Sequence, residues 1–174
     1  LVEEFYSRVA DCLKTLDLFQ KVHHAATTDF LTGLPNRRNF FERGEKLLES
    51  ERKHKSSVGC TLIDIDYFKK INDTYGHDIG DQALQGFSNT LSKNASEIEI
   101  IARLAGEEFC ILTPGLDQKS LFDRIESLRH AVEKSPVTIL PDGSPLHITA
   151  SFGICTEPKN DLDEMIKIAD KNLY

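Results

Sequence analysis

Two apolar runs, Ile98 to Leu104 and Phe109 to Leu112, are separated by a short turn that carries two adjacent carboxylates, Glu107 and Glu108. No other stretch restricts the fold of this chain as much. Runs joined in this way form a tight β-hairpin, and the joint needs backbone that tolerates positive φ. Gly106 does so freely, whereas Ala105 would cost about 1 kcal/mol if its φ were positive. Taken alone, the stretch describes an ordinary hairpin with a solvated acidic tip, because exposed glutamates are common. Upstream, Thr61-Leu62-Ile63-Asp64-Ile65-Asp66 sets further acids at the end of an apolar strand. A sheet that made the two segments neighbours would bring these acids together.

Val58 to Asp64 is almost continuously apolar, the pattern of a central strand covered on both faces. Counting by twos puts Asp64 and Asp66 on one face at its carboxyl end. Phe68 to Asp73 reads as a short helix, Tyr75-Gly76-His77 as a turn, and Ile79 to Leu91 as a longer helix with Ala83, Leu84, Phe87 and Leu91 inward. Asp81 is expected in the first turn of that helix, where a carboxylate also complements the helix dipole. A helix beginning near Arg37 turns Phe40, Phe41, Leu47 and Leu48 inward and dissolves in the polar run Glu51 to Ser57. After the hairpin, Leu121, Ile125, Leu128 and Val132 mark another helix, stopped by Pro136. Val137 to Leu140 and His147 to Cys155 flank the turn signal Asp142-Gly143. Leu162, Ile166, Ala169 and Leu173 define a last helix. The order α-α-β-α-β-β-α-β-β-α predicts a single α/β sandwich with a central mixed, largely antiparallel sheet flanked by helices.

Ahead of this domain Val2, Phe5, Val9, Cys12, Leu16 and Phe19 alternate spacings of three and four, the heptad seam of a helix that packs against a parallel partner. Residues 1–26 are therefore expected as a coiled-coil-like signalling stalk and 27–174 as the domain proper; a single amphipathic helix lying on its own domain fits the same seam. A chain of 174 residues has room for one good core and an appended helix. Its net charge of −7 argues against a polyphosphate-tracking surface, so no nucleic acid is expected as a partner. The four cysteines lack CxxC or metal-finger spacing, and Cys60, Cys110 and Cys155 sit inside strand-like runs; buried reduced thiols and a cytoplasmic setting are expected. No apolar run reaches the roughly eighteen residues of a membrane span. The start Leu1-Val2-Glu3-Glu4 lacks an initiator Met and signal-peptide character, and the chain is expected to be a fragment of something longer.

If the strand ending at Asp64 neighbours the hairpin, Asp64, Glu107 and Glu108 converge on one spot, a repulsive arrangement unless a divalent cation sits there. Mg2+ suits one or two carboxylates with room for waters and substrate phosphates, whereas Zn2+ would want His or Cys ligands that this region lacks. Phosphoryl or nucleotidyl transfer is the implied reaction class. The chain has no GxxxxGKS/T phosphate loop, no GxSxG and no HExxH, which removes the P-loop enzymes and the commonest hydrolases.

Six ordered blocks then carry a family resemblance. Asp29 to Arg38, Asp64 to Asp73, Gly76-His77 with Gly80-Asp81, Arg103 to Phe109, Ser151-Phe152-Gly153 and Ala169-Asp170 through Leu173-Tyr174 together resemble the GGDEF domains of bacterial diguanylate cyclases. The resemblance implies a fold like the palm of nucleotide cyclases and polymerases. It also implies condensation of two GTP into cyclic di-GMP with release of two pyrophosphates, each subunit of a homodimer holding one GTP. By position, Asp64 and Glu107 would ligate Mg2+ with help from the backbone carbonyl of Ile65. Glu108 would serve a second metal or help deprotonate the attacking 3′-hydroxyl. Asn72 and Asp81 would read guanine, since a carboxylate can accept from its two adjacent N–H donors, a pattern adenine does not present. Backbone amides near Phe68 and Lys69 would hold the terminal phosphates with Lys69 as charge partner, and Leu34 would line the base pocket. Asp66 and Arg103 are expected to be structural, His77 a turn or helix-start residue, and Asp29, Arg37 and Arg38 parts of a polar network tying stalk to domain.

The chain departs from the family pattern at Ala105, which stands where the signature has its first Gly, and at Glu107, which stands for Asp and keeps the ligand. The product-inhibition motif RxxD would fall on Ser96-Glu97-Ile98-Glu99, which has neither Arg nor Asp, so no product feedback is expected there. The family continues after its terminal Tyr with Lys and Arg residues that contact the GTP phosphates, and the sequence stops at Tyr174, before those positions. An active cyclase controlled by an upstream sensor is one expectation; a catalytically silent GTP-binding or signalling module that lost turnover through Ala105 is the other.

Overall fold

The structure is a computed structural model that describes residues 2–156 and 161–173. Its central strand, β1 (Val58–Ile65), lies between β3 (Glu108–Pro114) and β6 (Ala150–Cys155), and β2 (Ile100–Ala105) completes the order β2-β3-β1-β6. The expected largely antiparallel sheet is antiparallel in all three ladders. Alternation sorts its side chains between two cores. Ile63, Ile65, Ile101, Phe109 and Ile111 face one layer, where the Phe87 and Phe109 rings meet at 4.9 Å. Cys60, Leu62, Ala102, Cys110 and Leu112 face the other. Both faces of β1 are thus buried, which is why its sequence shows no polar alternation.

The first layer is built by α3 (Phe68–Tyr75), α4 (His77–Asn94) and α5 (Gln118–Lys134), the second by α2 (Arg37–Lys53) and α6 (Leu162–Lys171). The inward residues read from the α4 and α5 periodicity are all buried. Asn36 caps α2 by accepting the Asn39 N–H at 3.0 Å, and Asp117 caps α5 by accepting the Ser120 N–H at 2.7 Å.

The last hairpin differs from expectation. Its arms are two-residue strands, β4 (Thr138–Ile139) and β5 (Pro145–Leu146), which form a separate small sheet. The run from His147 onward is not one strand: only Ala150 to Cys155 joins the main sheet, against β1.

The N-terminal helix α1 (Val2–Thr27) reaches the domain at its last turn, where Asn36 Nδ2 donates to Ala26 O and Asn39 Nδ2 to Thr27 O. Val9, Cys12, Leu16 and Phe19 of the expected seam are exposed, Phe19 to 67%. The Val2 and Phe5 side chains lie outside the described residues. No helix among the described residues is long and apolar enough to cross a membrane. Cys60, Cys110 and Cys155 are buried and unbridged. Burial, with the 3.6 Å contact to the Cys60 sulfur, pushes the Cys110 thiol well above its ordinary range.

Candidate active site

The signature turn sits at the tip of the β2–β3 hairpin. Ala105 pairs with Glu108, leaving Gly106 and Glu107 as the two turn residues. Gly106 has φ +46°, while Ala105 is not among the residues with positive φ, so the backbone cost anticipated for Ala105 does not arise. A positive φ at the first turn residue alone is the sign pattern of a type II′ turn. The turn is braced from behind: Arg103 Nε donates to Gly106 O at 2.9 Å and Arg103 NH1 to Asp29 Oδ1 at 3.0 Å. Asp29 also accepts from the Thr32 N–H and hydroxyl. Burial pushes its carboxyl up, but these hydrogen bonds from Thr32 and Arg103 prevail and hold it below the usual range. Arg37 and Arg38 do not join this network. Arg37 lies over the Phe41 ring at 5.1 Å, and Arg38 pairs with Glu42 at 2.8 Å.

Strand register brings the acids together. Asp64 stands opposite Glu108 on one side and Ser151 on the other, and the Ile65 N–H reaches Glu107 O at 3.4 Å. Burial first, then the charges of Glu107, Glu108 and Asp66, push the Asp64 carboxyl up to about 6. Asp66 is spoken for: Thr149 Oγ1 donates to its Oδ2 at 2.6 Å and Ser151 Oγ to its Oδ1 at 2.7 Å. Among the described residues no three acidic, His or Cys side chains are already gathered as a coordinating cluster. The donor set is nonetheless one that fits a hard divalent cation: all-oxygen, anionic and mutually repelling, with Glu107 half-buried and Glu108 exposed at the rim.

Beside the acids, Tyr67 caps α3 with φ +55°, a left-handed conformation that few non-glycine residues adopt. The N–H groups of Phe68 and Lys69 that follow have no backbone acceptor among the described residues. Successive free N–H groups after a left-handed residue form a nest that favours an anion. The Phe68 ring is buried in the core, so only its backbone faces the site.

Gly76 caps both α3 and α4, and His77 is the first residue of α4. Because α4 starts at His77, Asp81 lies beyond the first turn; Asp78 holds the expected dipole-complementing place, and Asp81 is left exposed. Asn72, half-buried on α3, lies across Gly80 of α4: a Cβ on Gly80 would fall 1.9 Å from Asn72 Oδ1. Asp81 lines a cavity of about 410 Å3 together with Phe30, Leu31, Arg37, Ala105 and Gly106. Leu34, expected in that lining, is 8% exposed and belongs to the core; Leu31 takes its place. The Asp29 N–H donates to Leu34 O at 2.8 Å, closing the loop so that Leu34 is drawn under it.

A sequence profile described as "Diguanylate cyclase, GGDEF domain" matches residues 26–174. The chain belongs to this GGDEF-domain family. It is 38% identical over 151 residues to the response regulator PleD of Caulobacter vibrioides, an alignment covering 86% of this chain and 33% of PleD. To diguanylate cyclase DgcM of Escherichia coli it is 34% identical over 167 residues, 95% of this chain and 40% of that protein. The chain thus spans well under half the length of these relatives. Among solved structures, the coiled coil and GGDEF domain of DgcB from Caulobacter crescentus, in complex with c-di-GMP, superposes with a TM-score of 0.88 at 25% identity, covering 98% of this chain and 91% of that one. The family match thus covers the sheet and its flanking helices, and the likeness to the DgcB structure extends over nearly the whole chain.

Three residues beside these groups were not singled out from the sequence: Leu31, Tyr67 and Gly80. Gly80 left a signal, since a glycine within an amphipathic helix pattern costs about 1 kcal/mol against alanine and needs a packing or functional reason. Tyr67 left none, because its role lies in a backbone angle.

Proposed function

We propose that this chain is the catalytic domain of a Mg2+-dependent diguanylate cyclase that condenses two GTP into cyclic di-GMP and two pyrophosphates, with two subunits facing each other. The observation that carries this is the strand register that sets Asp64 against Glu108, where burial first and the neighbouring acids next raise its carboxyl to about 6. Asp64 and Glu107, with the Ile65 carbonyl, would hold the metal, which when bound would neutralise charge on the triphosphate. Glu108 would serve a second metal or receive the proton of the attacking 3′-hydroxyl. The N–H groups of Phe68 and Lys69, with the Lys69 ammonium, hold the terminal phosphates. Asn72 and Asp81 read the guanine edge, and neither side chain has a hydrogen-bond partner among the described residues. The relatives named as diguanylate cyclases and the c-di-GMP complex of DgcB support this assignment.

Cyclic dinucleotide formation from GTP and Mg2+ by this chain, with Glu107→Ala and Ala105→Gly beside it, tests the proposal. Product from the parent and none from Glu107→Ala is expected. A silent GTP-binding module is the competing function, favoured by the position of Ala105 in the lining of the Asp81 cavity, where its methyl can crowd a nucleotide. GTP binding without product, even after Ala105→Gly, would decide for it.

We further propose that α1 pairs with its copy in a second chain and so aligns the two sites, relaying the state of an upstream sensor domain. Replacing Leu16 and Phe19 with polar residues should lower turnover at dilute protein, about tenfold, and leave GTP affinity unchanged. Equal loss of both would point to misfolding. We propose no product feedback at Ser96–Glu99, which has neither the Arg nor the Asp of the RxxD motif; the Glu99 carboxylate there is engaged by Arg124, Thr113 and the Ser96 N–H.

A further inference from the structure

We propose that Gly80 is a specificity-positioning residue, the missing side chain that lets the Asn72 amide lie where it can meet a guanine edge. This rests on the assignment of Asn72 and Asp81 to base recognition.

The two helices that carry these groups are joined by a single residue. Gly76 has φ +86° and ψ 163°, a combination essentially confined to glycine. Its N–H donates to Asn72 O at 2.9 Å, and its own carbonyl accepts the Gly80 N–H at 3.2 Å. Asn72 and Gly80 therefore stand one turn before and one turn after the joint. Where α3 and α4 diverge from it, the Asn72 side chain crosses the Gly80 Cα.

No side chain fits at that crossing. A Cβ at residue 80 would lie 1.9 Å from Asn72 Oδ1 and 3.0 Å from Asn72 Cγ, with the Phe68 ring edge at 3.4 Å. The first distance is well inside the contact limit of any carbon and oxygen, so the amide must swing away. Phe68 is buried and holds its place in the core. Glycine within a helix destabilises it relative to alanine, so the local preference runs against this choice.

The amide so held makes no hydrogen bond to any described residue, although it is half-buried. A polar group fixed by packing but left with its donors and acceptor free is arranged for a ligand. The next residue along α4, Asp81, lines the cavity beside the signature turn. Asn72 is not part of that lining, and the bare backbone at Gly80 fixes where its amide stands relative to Asp81, the spacing on which the proposed reading of the base depends.

A cycle of Gly80→Ala, Asn72→Ala and the double variant tests this, read by thermal melting and by equilibrium binding of GTP and ATP to the chain. Gly80→Ala should weaken GTP binding about tenfold, the scale of one lost hydrogen bond, and narrow the GTP-over-ATP preference by the same factor. In the Asn72→Ala background the colliding amide is gone, and the same change should alter GTP affinity by less than about twofold. Unchanged affinity and preference in Gly80→Ala, or equal loss in both backgrounds, would overturn the proposal. If Gly80→Ala does not fold, the double variant decides: restored cooperative melting supports a collision with Asn72, and continued failure overturns it. A parent chain that binds GTP no better than ATP would overturn the guanine assignment and this role with it, an outcome distinct from a parent that discriminates but shows no coupling.

Discussion

The β2–β3 hairpin carries glutamates at its two ends, and the fold treats them in opposite ways. Beside the start of β2, Glu99 is buried and bound bidentately by Arg124, at 3.2 and 2.7 Å, while Thr113 Oγ1 and the Ser96 N–H also donate to it. At the turn, Glu107 and Glu108 have no ion-pair partner among the described residues and press on Asp64 instead. An acid whose lone pairs are all met from within holds structure together. Acids left to repel one another weaken the fold locally and are kept for something that arrives from outside.

The sharpest way to break this contrast is Glu107→Ala. Cyclic dinucleotide formation should fall about a thousandfold, as when a main charge-stabilising group is removed, with no loss of melting temperature. A large drop in melting temperature would make Glu107 structural as well. Next comes Glu99→Ala, which strands the Arg124 guanidinium. It should cost about 3 kcal/mol in denaturant melts and leave turnover per folded molecule within about twofold. Gly106→Ala should cost about 1 kcal/mol, all of it from φ +46°, since nothing lies within 4 Å of the added methyl.

The smallest effect concerns pH. The Asp64 carboxyl is raised from 3.8 to about 6. Between those values the unfolded chain has released a proton that the native chain still holds, so stability without metal falls as pH rises through that window. Asp64→Asn should remove the fall: melting temperatures measured in a chelator should match the parent below about pH 4 and exceed it above about pH 6. Equal slopes for both proteins would mean that neither burial nor the neighbouring acids raise the Asp64 carboxyl.

Much of this was legible in the sequence, and the exceptions have physical causes. Strand β1 and the buried faces of α4 and α5 announce themselves because burial imposes its period on residue choice. The approach of Asp64 to the turn follows once the two strands are neighbours. The segment His147 to Thr149 misleads because Leu146, Ile148 and Ala150 keep a strand-like alternation through a stretch that pairs with no strand, and composition does not mark where a ladder ends. Asp81 was misplaced because α4 begins two residues early, at His77, directly against the shared cap Gly76. Leu31 and Leu34 flank the same turn and differ only in which way the loop closes. That is settled by the Asp29–Leu34 hydrogen bond and the Thr28–Pro35 bridge, neither of which composition reveals.

Because β1 is clamped between two cores and flanked by strands on both sides, the amide protons around Ile63 have no small fluctuation through which to reach water. Isotope exchange there should require the whole domain to open, at the slowest rate in the protein. Warming would then not loosen the acidic rim gradually: its Asp64 side stays in register until the domain melts.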